Sequence, residues 1–286
     1  MTLSIKDFET KAKPDWCPGC GNFGIQAAVK QALVNLGIEP HKTAIVTGIG
    51  CGSKLAHWVD VYGLHTLHGR SLPPAAAVKL ANPALTVIAA SGDGDGYGIG
   101  MGHFIHTMRR NADIVYLVQD NGVYGLTKGQ SAPTSPKGFK SPSTPFGVIE
   151  EPINPMALAL IMGATYVARG YAGDVQHLTG LIEGAIRHKG FALIDIFQPC
   201  VTFNKINTYA YYAKNTYKLE DLKDYDARDF KAAMEKAMQT DKLPIGLFYK
   251  SDLPTYDEQD PARTNISAVD ADISNIDISP LFGRYC

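Results

Sequence analysis

The sequence predicts an α/β protein built on one doubly wound, mostly parallel sheet, with an irregular C-terminal extension. Short apolar runs typical of buried strands alternate along the chain with stretches of helical periodicity. Such alternation is typical of a parallel sheet covered by helices on both faces. Glycine and polar residues directly follow several of the runs. We assign residues 1–200 to the sheet domain and residues 201–286 to an extension that packs on it and on a partner subunit.

The first half of the chain gives the clearest pattern of elements. Apolar residues at helical spacing predict a helix over 22–36, which Gly37 closes. A second helix is predicted at 73–80, where prolines occupy its start. The remaining elements predicted in this half are strands at 44–47, 85–90 and 114–118 and a helix at 103–110.

The second half begins with a long loop over 127–155, which is rich in Pro, Ser, Thr and Gly and has little periodicity. Loops of this length often carry function. After it we predict helices at 156–162, 175–188 and 230–238, strands at 164–168 and 191–197, and an edge strand at 245–249. Residues 255–286 have weak periodicity, and we expect them to wrap a partner or a neighbouring subunit.

Composition and charge exclude several classes of function. The 286 residues carry a net charge of −1 and contain no basic run, which argues against binding nucleic acid. No apolar stretch is long enough to span a bilayer, and residues 1–16 lack the apolar core of a signal peptide. We therefore expect a cytoplasmic protein that does not bind membranes.

Polar side chains follow two of the predicted strands. Asp93 lies in Gly92-Asp93-Gly94-Asp95 after the first strand, and Asn121 follows the second. Parallel strands deliver such residues to the same edge of the sheet, where open α/β sheets bind ligands. Hard oxygen ligands beside glycines and a helix N-terminus suit a Mg²⁺–diphosphate site.

The cysteine pattern points to metal or redox chemistry. There are five cysteines, an odd number, and their spacing is not that of a disulfide scaffold. Cys17 and Cys20 form a C-x-x-C pair, and they can converge with Cys51 and Cys200 at the same sheet edge. Four thiolates fit either a structural Zn²⁺ or a [4Fe–4S] cluster, and the irregular spacing favours the cluster. Cys286, the last residue, receives no role.

Five motifs in order resemble the beta subunit of 2-oxoacid:ferredoxin oxidoreductases, of the 2-oxoglutarate or broad 2-oxoacid type. They are Trp-Cys-Pro-Gly-Cys-Gly at 16–21, Ile-Gly-Cys at 49–51, Leu-His-Gly-Arg at 67–70, Gly-Asp-Gly-Asp-Gly at 92–96 and Asp-Asn-Gly-Val-Tyr-Gly-Leu-Thr at 120–127. The resemblance covers residues 16–200. It implies the diphosphate-binding fold of thiamine diphosphate (ThDP) enzymes, with ThDP, Mg²⁺ and one [4Fe–4S] cluster as cofactors.

The resemblance also implies roles for individual residues. Mg²⁺ would be held by the side chains of Asp93 and Asn121 and by the carbonyl of Val123, and the cluster by Cys17, Cys20, Cys51 and Cys200. The ThDP pocket would be lined by Ile49, Gly50, Cys51, Gly52, His68, Gly69 and Arg70, with Gly94, Asp95, Gly125 and Leu126 around the diphosphate. From their positions, we expect Lys54 and Arg70 to be catalytic contacts for anionic groups, Lys54 for the substrate carboxylate.

The implied reaction is the CoA-dependent oxidative decarboxylation of 2-oxoacids such as pyruvate, with electrons passing singly through the cluster to ferredoxin. ThDP enzymes normally need a glutamate from a pyrimidine-binding domain, but upstream of Asp93 the chain has only Glu9 and Glu39. We therefore expect a heterodimer in which an alpha subunit supplies that domain and its glutamate.

Two other functions compete with this one. A non-redox ThDP-dependent decarboxylase subunit with a structural zinc explains the Asp93 and Asn121 pattern but leaves the cysteines without a redox role. A zinc-stabilised binding module without catalysis explains the cysteines alone. Colour separates them, because an iron–sulfur protein purified without oxygen is brown and a zinc protein is not.

Overall fold

The computed structural model describes residues 3–261 and 267–284. Its strands are β1 (Thr43–Thr47), β2 (Tyr62–His65), β3 (Thr86–Gly92), β4 (Val115–Asp120), β5 (Val123–Tyr124), β6 (Gln130–Ser131), β7 (Tyr166–Tyr171), β8 (Ala192–Phe197), β9 (Thr216–Lys218) and β10 (Leu243–Lys250). Its α-helices are α1 (Asn22–Leu36), α2 (Leu55–Trp58), α3 (Leu72–Ala81), α4 (Met101–Arg110), α5 (Pro155–Ile161), α6 (Val175–Arg187), α7 (Tyr209–Asn215), α8 (Phe230–Ala237) and α9 (Ser279–Phe282).

Eight of these strands form one sheet in the order β2-β1-β3-β4-β8-β7-β10-β9. All neighbours are parallel except β10 and β7, which are antiparallel. The short pair β5–β6 forms a separate hairpin. The doubly wound, mostly parallel sheet predicted from the sequence is therefore confirmed.

Helices cover both faces of the sheet, so the central strands are buried along their length. On one face, α1 and α6 pack against each other and against residues such as Ile45 and Ile194. On the other face, α3, α4, α5 and α8 enclose an aromatic group that includes Phe104, Tyr116 and Phe191. Because the strands are buried on both faces, their sequences are nearly continuous apolar runs.

The chain reverses direction between β1 and β3. From β1 it continues outward to β2 at the edge of the sheet, whereas from β3 it continues the opposite way to β4. Ligands of open α/β sheets bind at such a switch point, beyond the carboxyl ends of the strands. The loops that leave β1 and β3 there are residues 48–52 and 93–100.

Most of the predicted elements are confirmed with small changes at their ends. The helix predicted at 22–36 is α1, which ends at Gly37 in the left-handed conformation (φ 67°). The helix predicted at 103–110 begins earlier, at Met101, and follows one π-helical turn over Gly94–Ile99. The long loop over 127–155 is confirmed, apart from its strand β6.

Two features of the sheet differ from the prediction. The strand predicted at 245–249 exists as β10, but its placement at the edge is wrong, because β10 pairs with β7 on one side and β9 on the other. The two edge strands were also not predicted: β2, whose four residues are all exposed, and β9, which has three residues. An exposed edge strand has no buried face and therefore no apolar run to indicate it. No helix in the described residues has the length and apolarity needed to cross a membrane.

Candidate active site

The candidate site lies where four adjacent parallel strands end. The strands β1, β3, β4 and β8 are neighbours in the sheet, and their carboxyl ends lead into residues 48–52, 93–95, 121–123 and 198–200. Each of these segments carries polar, glycine or cysteine residues. Residues that are far apart in the chain are therefore brought together at one edge of the sheet.

A cavity of about 90 Å³ lies between these segments. It brings together most of the residues expected to hold a diphosphate and its metal: Ile49, Gly50, Cys51, Gly52, His68, Asp93, Gly94, Asp95, Asn121, Val123, Gly125 and Leu126. We call this the glycine-loop cavity. Gly69 and Arg70 are not among the residues that line it.

Asp93 is buried directly after β3, with 1% of its surface exposed. Its Oδ2 accepts hydrogen bonds from Thr134 Oγ1 at 2.6 Å and from the backbone N–H of Gly122 at 3.0 Å. Burial raises the pKa of Asp93 to about 6, although these hydrogen bonds oppose the rise. A buried carboxylate of this kind is stabilised by a cation, which fits the expected Mg²⁺.

Asn121 is held at both ends of its amide. Its Oδ1 accepts from the N–H of Val123 at 3.0 Å, and its Nδ2 donates to Gln198 Oε1 at 2.6 Å. Gly122 follows it with φ 67°, a conformation that favours glycine. The amide oxygen and the backbone of residues 121–123 are therefore fixed at the cavity that holds Asp93.

Asp95 ties the loops around the cavity to one another. Its Oδ1 accepts from the N–H of Ile49 at 3.1 Å and of Gly69 at 2.6 Å, and lies 2.5 Å from His68 Nδ1. A Cβ at Gly48 would lie 2.0 Å from Asp95 Oδ2, so only glycine fits there. Asp95 is thus occupied by protein donors from the loops after β1 and β2.

The four cysteines line a second cavity of about 270 Å³, which we call the thiol cavity. A Cβ on Gly125 would lie 3.7 Å from the Sγ of Cys51 and 3.8 Å from that of Cys200. In the described residues, however, no three His, Cys, Asp or Glu side chains are close enough to hold a single metal ion. Cys17, Cys20, Cys51 and Cys200 therefore line one cavity without forming a site for a single ion.

The thiol cavity has a partly apolar wall. Trp16 is buried beside it and donates from its Nε1 to the carbonyl of Cys51 at 2.8 Å. Burial raises the pKa of the Cys20 thiol to about 11. A thiolate at this position therefore needs a bound metal to stabilise its charge.

The two cavities are adjacent. Cys51, Asn121, Gly125 and Leu126 line both of them. A group bound in the glycine-loop cavity would therefore contact the same residues as a group held by the thiols.

The two predicted catalytic cations lie outside the glycine-loop cavity. Lys54 lines the thiol cavity, where its Nζ is 2.8 Å from Asp15 Oδ2. Arg70 is exposed and lies near His103, whose pKa is lowered first by burial and then by the positive charge of Arg70. Lys54 therefore lies in the wall of the thiol cavity, whereas Arg70 lines neither of the two cavities.

Three contributing residues were missed by the sequence analysis. Thr134 comes from the aperiodic loop over 127–155, where no local signal indicates a contact with Asp93. Tyr124 donates from its OH to the carbonyl of Gly94 at 3.0 Å. Gln198 stands directly after β8, and its position at a strand end was a signal that could have found it.

Comparison with known proteins gives a consistent result. Residues 48–196 match the family described as thiamine pyrophosphate enzyme, C-terminal TPP binding domain, and residues 200–264 match the C-terminal region of the pyruvate ferredoxin oxidoreductase beta subunit. The chain is 49% identical to a 2-oxoacid:ferredoxin oxidoreductase subunit beta of Sulfolobus sp, over 87% of this chain and 86% of the relative.

Two further relatives agree with it. A 2-oxoacid:ferredoxin oxidoreductase 1, subunit beta, from Aeropyrum pernix is 44% identical over 98% of this chain and 93% of its own length. A solved structure of 2-oxoglutarate:ferredoxin oxidoreductase from Magnetococcus marinus, with 2-oxoglutarate, coenzyme A and succinyl-CoA bound, has a TM-score of 0.87 and 45% identity, covering 90% of this chain and 88% of that chain.

Proposed function

The chain belongs to the family of 2-oxoacid:ferredoxin oxidoreductase beta subunits, oxidoreductases of the 1.2.7 type, and we propose on this premise that it holds ThDP–Mg²⁺ and a [4Fe–4S] cluster side by side. One observation supports this more than any other: Cys51, Asn121, Gly125 and Leu126 line both the glycine-loop cavity and the thiol cavity. Neither a non-redox decarboxylase nor a binding module needs the two cavities to be adjacent.

The residues of the glycine-loop cavity fit Mg²⁺ and a diphosphate. Asp93 offers a buried carboxylate, Asn121 offers an amide oxygen, and Val123 lies beside them for the proposed carbonyl contact. Magnesium prefers such oxygen ligands and few of them from protein. The π-helical turn that begins at Gly94 adds backbone N–H groups of the type that bind phosphate oxygens.

The thiols fit an iron–sulfur cluster better than zinc. Zinc with four cysteines has each sulfur about 2.3 Å from one ion in a tetrahedron. The four cysteines line one cavity of about 270 Å³, and no three ligand side chains among the described residues suit a single ion. Sulfurs spaced around a volume are the arrangement that binds a cluster of several irons.

When bound, ThDP supplies the carbon nucleophile for the keto group and stabilises the negative charge left after CO₂ departs. The chain itself must position the reactants and exclude water. Asp95 holds the loops that carry Ile49 and Gly69 against the cavity. Lys54 lies on the wall of the thiol cavity and pairs with Asp15. When substrate binds, the lysine would release Asp15 and contact the substrate carboxylate instead.

The electron balance requires two transfers for each turnover. Oxidation of a 2-oxoacid to an acyl group and CO₂ releases two electrons, and CoA takes the acyl group. A [4Fe–4S] cluster held by Cys17, Cys20, Cys51 and Cys200 would supply one-electron transfer, so the two electrons would reach ferredoxin one at a time. Free thiols that persist as cluster ligands are typical of the reducing cytoplasm, where we expect the enzyme to work.

The site needs a partner. No glutamate lines either cavity within the part of the chain that the structure describes. Glu9 and Glu39, the two glutamates upstream of Asp93, are both exposed on the surface. We therefore propose that this edge of the sheet is covered by an alpha subunit, which supplies the pyrimidine-binding domain with its glutamate.

The experiment is an assay of the chain co-expressed with its alpha subunit and purified without oxygen. We expect reduction of ferredoxin that requires both a 2-oxoacid and CoA, and we would compare pyruvate, 2-oxobutyrate and 2-oxoglutarate. Release of CO₂ without reduction of an acceptor, by a complex that contains stoichiometric zinc, would favour the non-redox decarboxylase instead.

A further inference from the structure

We propose that Gln198 is a positioning residue that links the two halves of the site. It orients the amide of Asn121 so that the amide oxygen serves the metal, and it donates a hydrogen bond to the thiolate of Cys20. This inference rests on the proposed function, because it concerns how the chain tunes the two cofactors of that function. It adds a residue for which the motifs at the site assign no role.

Gln198 is buried between the two cavities, with 1% of its surface exposed. Its Oε1 accepts from Asn121 Nδ2 at 2.6 Å. Its Nε2 donates to the carbonyl of Pro199 at 2.8 Å and faces Cys20 Sγ at 3.4 Å. All the polar atoms of this side chain are therefore engaged, on one side with the metal site and on the other with the thiols.

Two fixed backbone groups set the direction of these hydrogen bonds, the carbonyl of Pro199 and the N–H of Val123, which donates to Asn121 Oδ1. The carbonyl of Pro199 can only accept, so the nitrogen of Gln198 must face it and the oxygen must face Asn121. Asn121 must then present its own nitrogen to Gln198, which leaves its oxygen on the opposite side. A reversed Asn121 would offer NH₂ to Mg²⁺, and an NH₂ group cannot act as a ligand.

The packing around Gln198 keeps it in place. A Cβ on Gly21 would lie 2.9 Å from Gln198 Cγ and 3.1 Å from its Nε2, so only glycine allows the backbone to approach so closely. The N–H of Gly21 also donates to the carbonyl of Pro199 at 3.2 Å. Gly21, which follows the C-x-x-C pair, therefore packs closely against Gln198 and keeps its side chain next to Cys20.

Two measurable consequences follow. Hydrogen bonds to the sulfurs of an iron–sulfur cluster help to set its reduction potential, because they stabilise the more negative reduced form. Residues that orient a metal ligand typically contribute 10–100-fold to metal affinity. Gln198 therefore influences both the cluster potential and the affinity for Mg²⁺.

The test uses the complex with its alpha subunit, loaded with ThDP and iron. Gln198→Met keeps the length of the side chain and removes both hydrogen-bonding functions. Gln198→Glu keeps an oxygen for Asn121 and removes the N–H groups that face Cys20. Gln26→Met is the matched control, because Gln26 is also buried and donates from Nε2 to a carbonyl, that of Trp58 at 2.5 Å.

The readouts are the midpoint potential of the cluster, from a redox titration followed by electron paramagnetic resonance, and the Kd for Mg²⁺ with excess ThDP, from calorimetry. We expect a more negative potential in both Gln198 variants. The affinity for Mg²⁺ should fall about 10-fold or more in Gln198→Met. It should be no lower than wild type in Gln198→Glu, and Gln26→Met should change neither value.

A wild-type potential or a wild-type Mg²⁺ affinity in Gln198→Met would overturn the proposal. A fall in Mg²⁺ affinity as large in Gln198→Glu as in Gln198→Met would overturn the role assigned to its oxygen. Failure of the proposed function has a different signature, because the wild-type complex itself would then lack iron or bind no ThDP.

Discussion

The hydroxyl of Thr134 lies 2.6 Å from Oδ2 of Asp93 and joins a long, aperiodic loop to the end of strand β3. The N–H of Gly122 donates to the same oxygen. Two donors on one oxygen fix the orientation of a carboxylate, as partners of metal ligands commonly do. The loop over 127–155 therefore contributes to the proposed metal site and does not merely cover it.

Replacing Thr134 by valine should weaken the binding of Mg²⁺ and ThDP. The valine keeps the shape of the side chain and removes the hydroxyl, so Asp93 loses one donor, and the affinity should fall about 10–100-fold. Calorimetry of Mg²⁺ binding with excess ThDP measures it. Thr144→Val is the matched control, because the hydroxyl of Thr144 contacts Ser141 within the same loop and not Asp93. Equal affinities in the two variants would contradict the role of Thr134.

Asp95 should be needed for the shape of the cavity. In Asp95→Ala, every acceptor contact of the carboxylate is removed, and N–H groups such as that of Gly69 lose their partner at a cost of about 1–3 kcal/mol. We expect a lower melting temperature and weaker ThDP binding. Gly48→Ala should reproduce both effects, since its Cβ would lie 2.0 Å from Asp95 Oδ2.

The control for Gly48→Ala is Gly102→Ala, where an added Cβ meets nothing within 4 Å and lies in helix α4. This variant should bind ThDP as the wild type does and melt at the same temperature or higher. If Asp95→Ala and Gly48→Ala also bind ThDP normally, the contacts that Asp95 makes between the loops are not needed for the cofactor.

Lys54→Ala should raise the KM for the 2-oxoacid. A hydrogen bond between charged groups contributes about 1.5–3 kcal/mol, which corresponds to a rise in KM of roughly tenfold or more. Asp15→Asn is the control, since it removes the negative charge that pairs with Lys54 at 2.8 Å and keeps the lysine itself; it should not raise the KM. An unchanged KM in Lys54→Ala would mean that this lysine does not contact the carboxylate.

Stability should depend on pH through His188. Burial lowers the pKa of this histidine from its usual 6.5 to about 4, while Lys250, Asp252 and Asp113 are the charged groups nearby. Between those values the unfolded chain binds a proton more readily than the folded chain. The free energy of unfolding therefore falls as the pH drops from 6.5 towards 4, by on the order of 2 kcal/mol.

Melting temperatures of the complex at pH 5 and pH 7.5 check this dependence. His188→Gln should lose less stability at pH 5 than the wild type does. His41→Gln, which changes an exposed histidine, should retain the full loss. If His188→Gln and the wild type lose the same amount, another group is responsible for the acid sensitivity.

The sequence predicted the central sheet because its strands are buried on both faces. Runs such as residues 85–90 and 114–118 are apolar apart from Thr86, and each leads within two residues to Gly92 or Asp120. The end of each strand and the residues expected at the site could therefore be predicted together. The helix α1 was predicted to the residue, since Gly37 adopts the left-handed conformation that ends it. Local signals were sufficient for these elements.

What the sequence could not predict depends on contacts between distant segments. The interior position of β10 follows from its pairing with β7 and β9. The residues of β10 alone do not indicate which strands lie beside it. The roles of Thr134 and Gln198 depend on where their backbones lie in space. Asp95 was expected beside the diphosphate, and its contacts with Ile49 and Gly69 became visible only in the folded chain.

The most direct test follows the electrons from substrate to cluster. The complex, purified without oxygen, should be brown, with broad absorbance near 400 nm that bleaches when a 2-oxoacid and CoA are added. Electron paramagnetic resonance should then detect one reduced [4Fe–4S] cluster per chain. Cys51→Ser should abolish the signal, and Cys286→Ser, which lies outside the described residues, should leave it intact. A colourless wild-type complex with stoichiometric zinc, or a brown one that the 2-oxoacid does not bleach, would contradict the account.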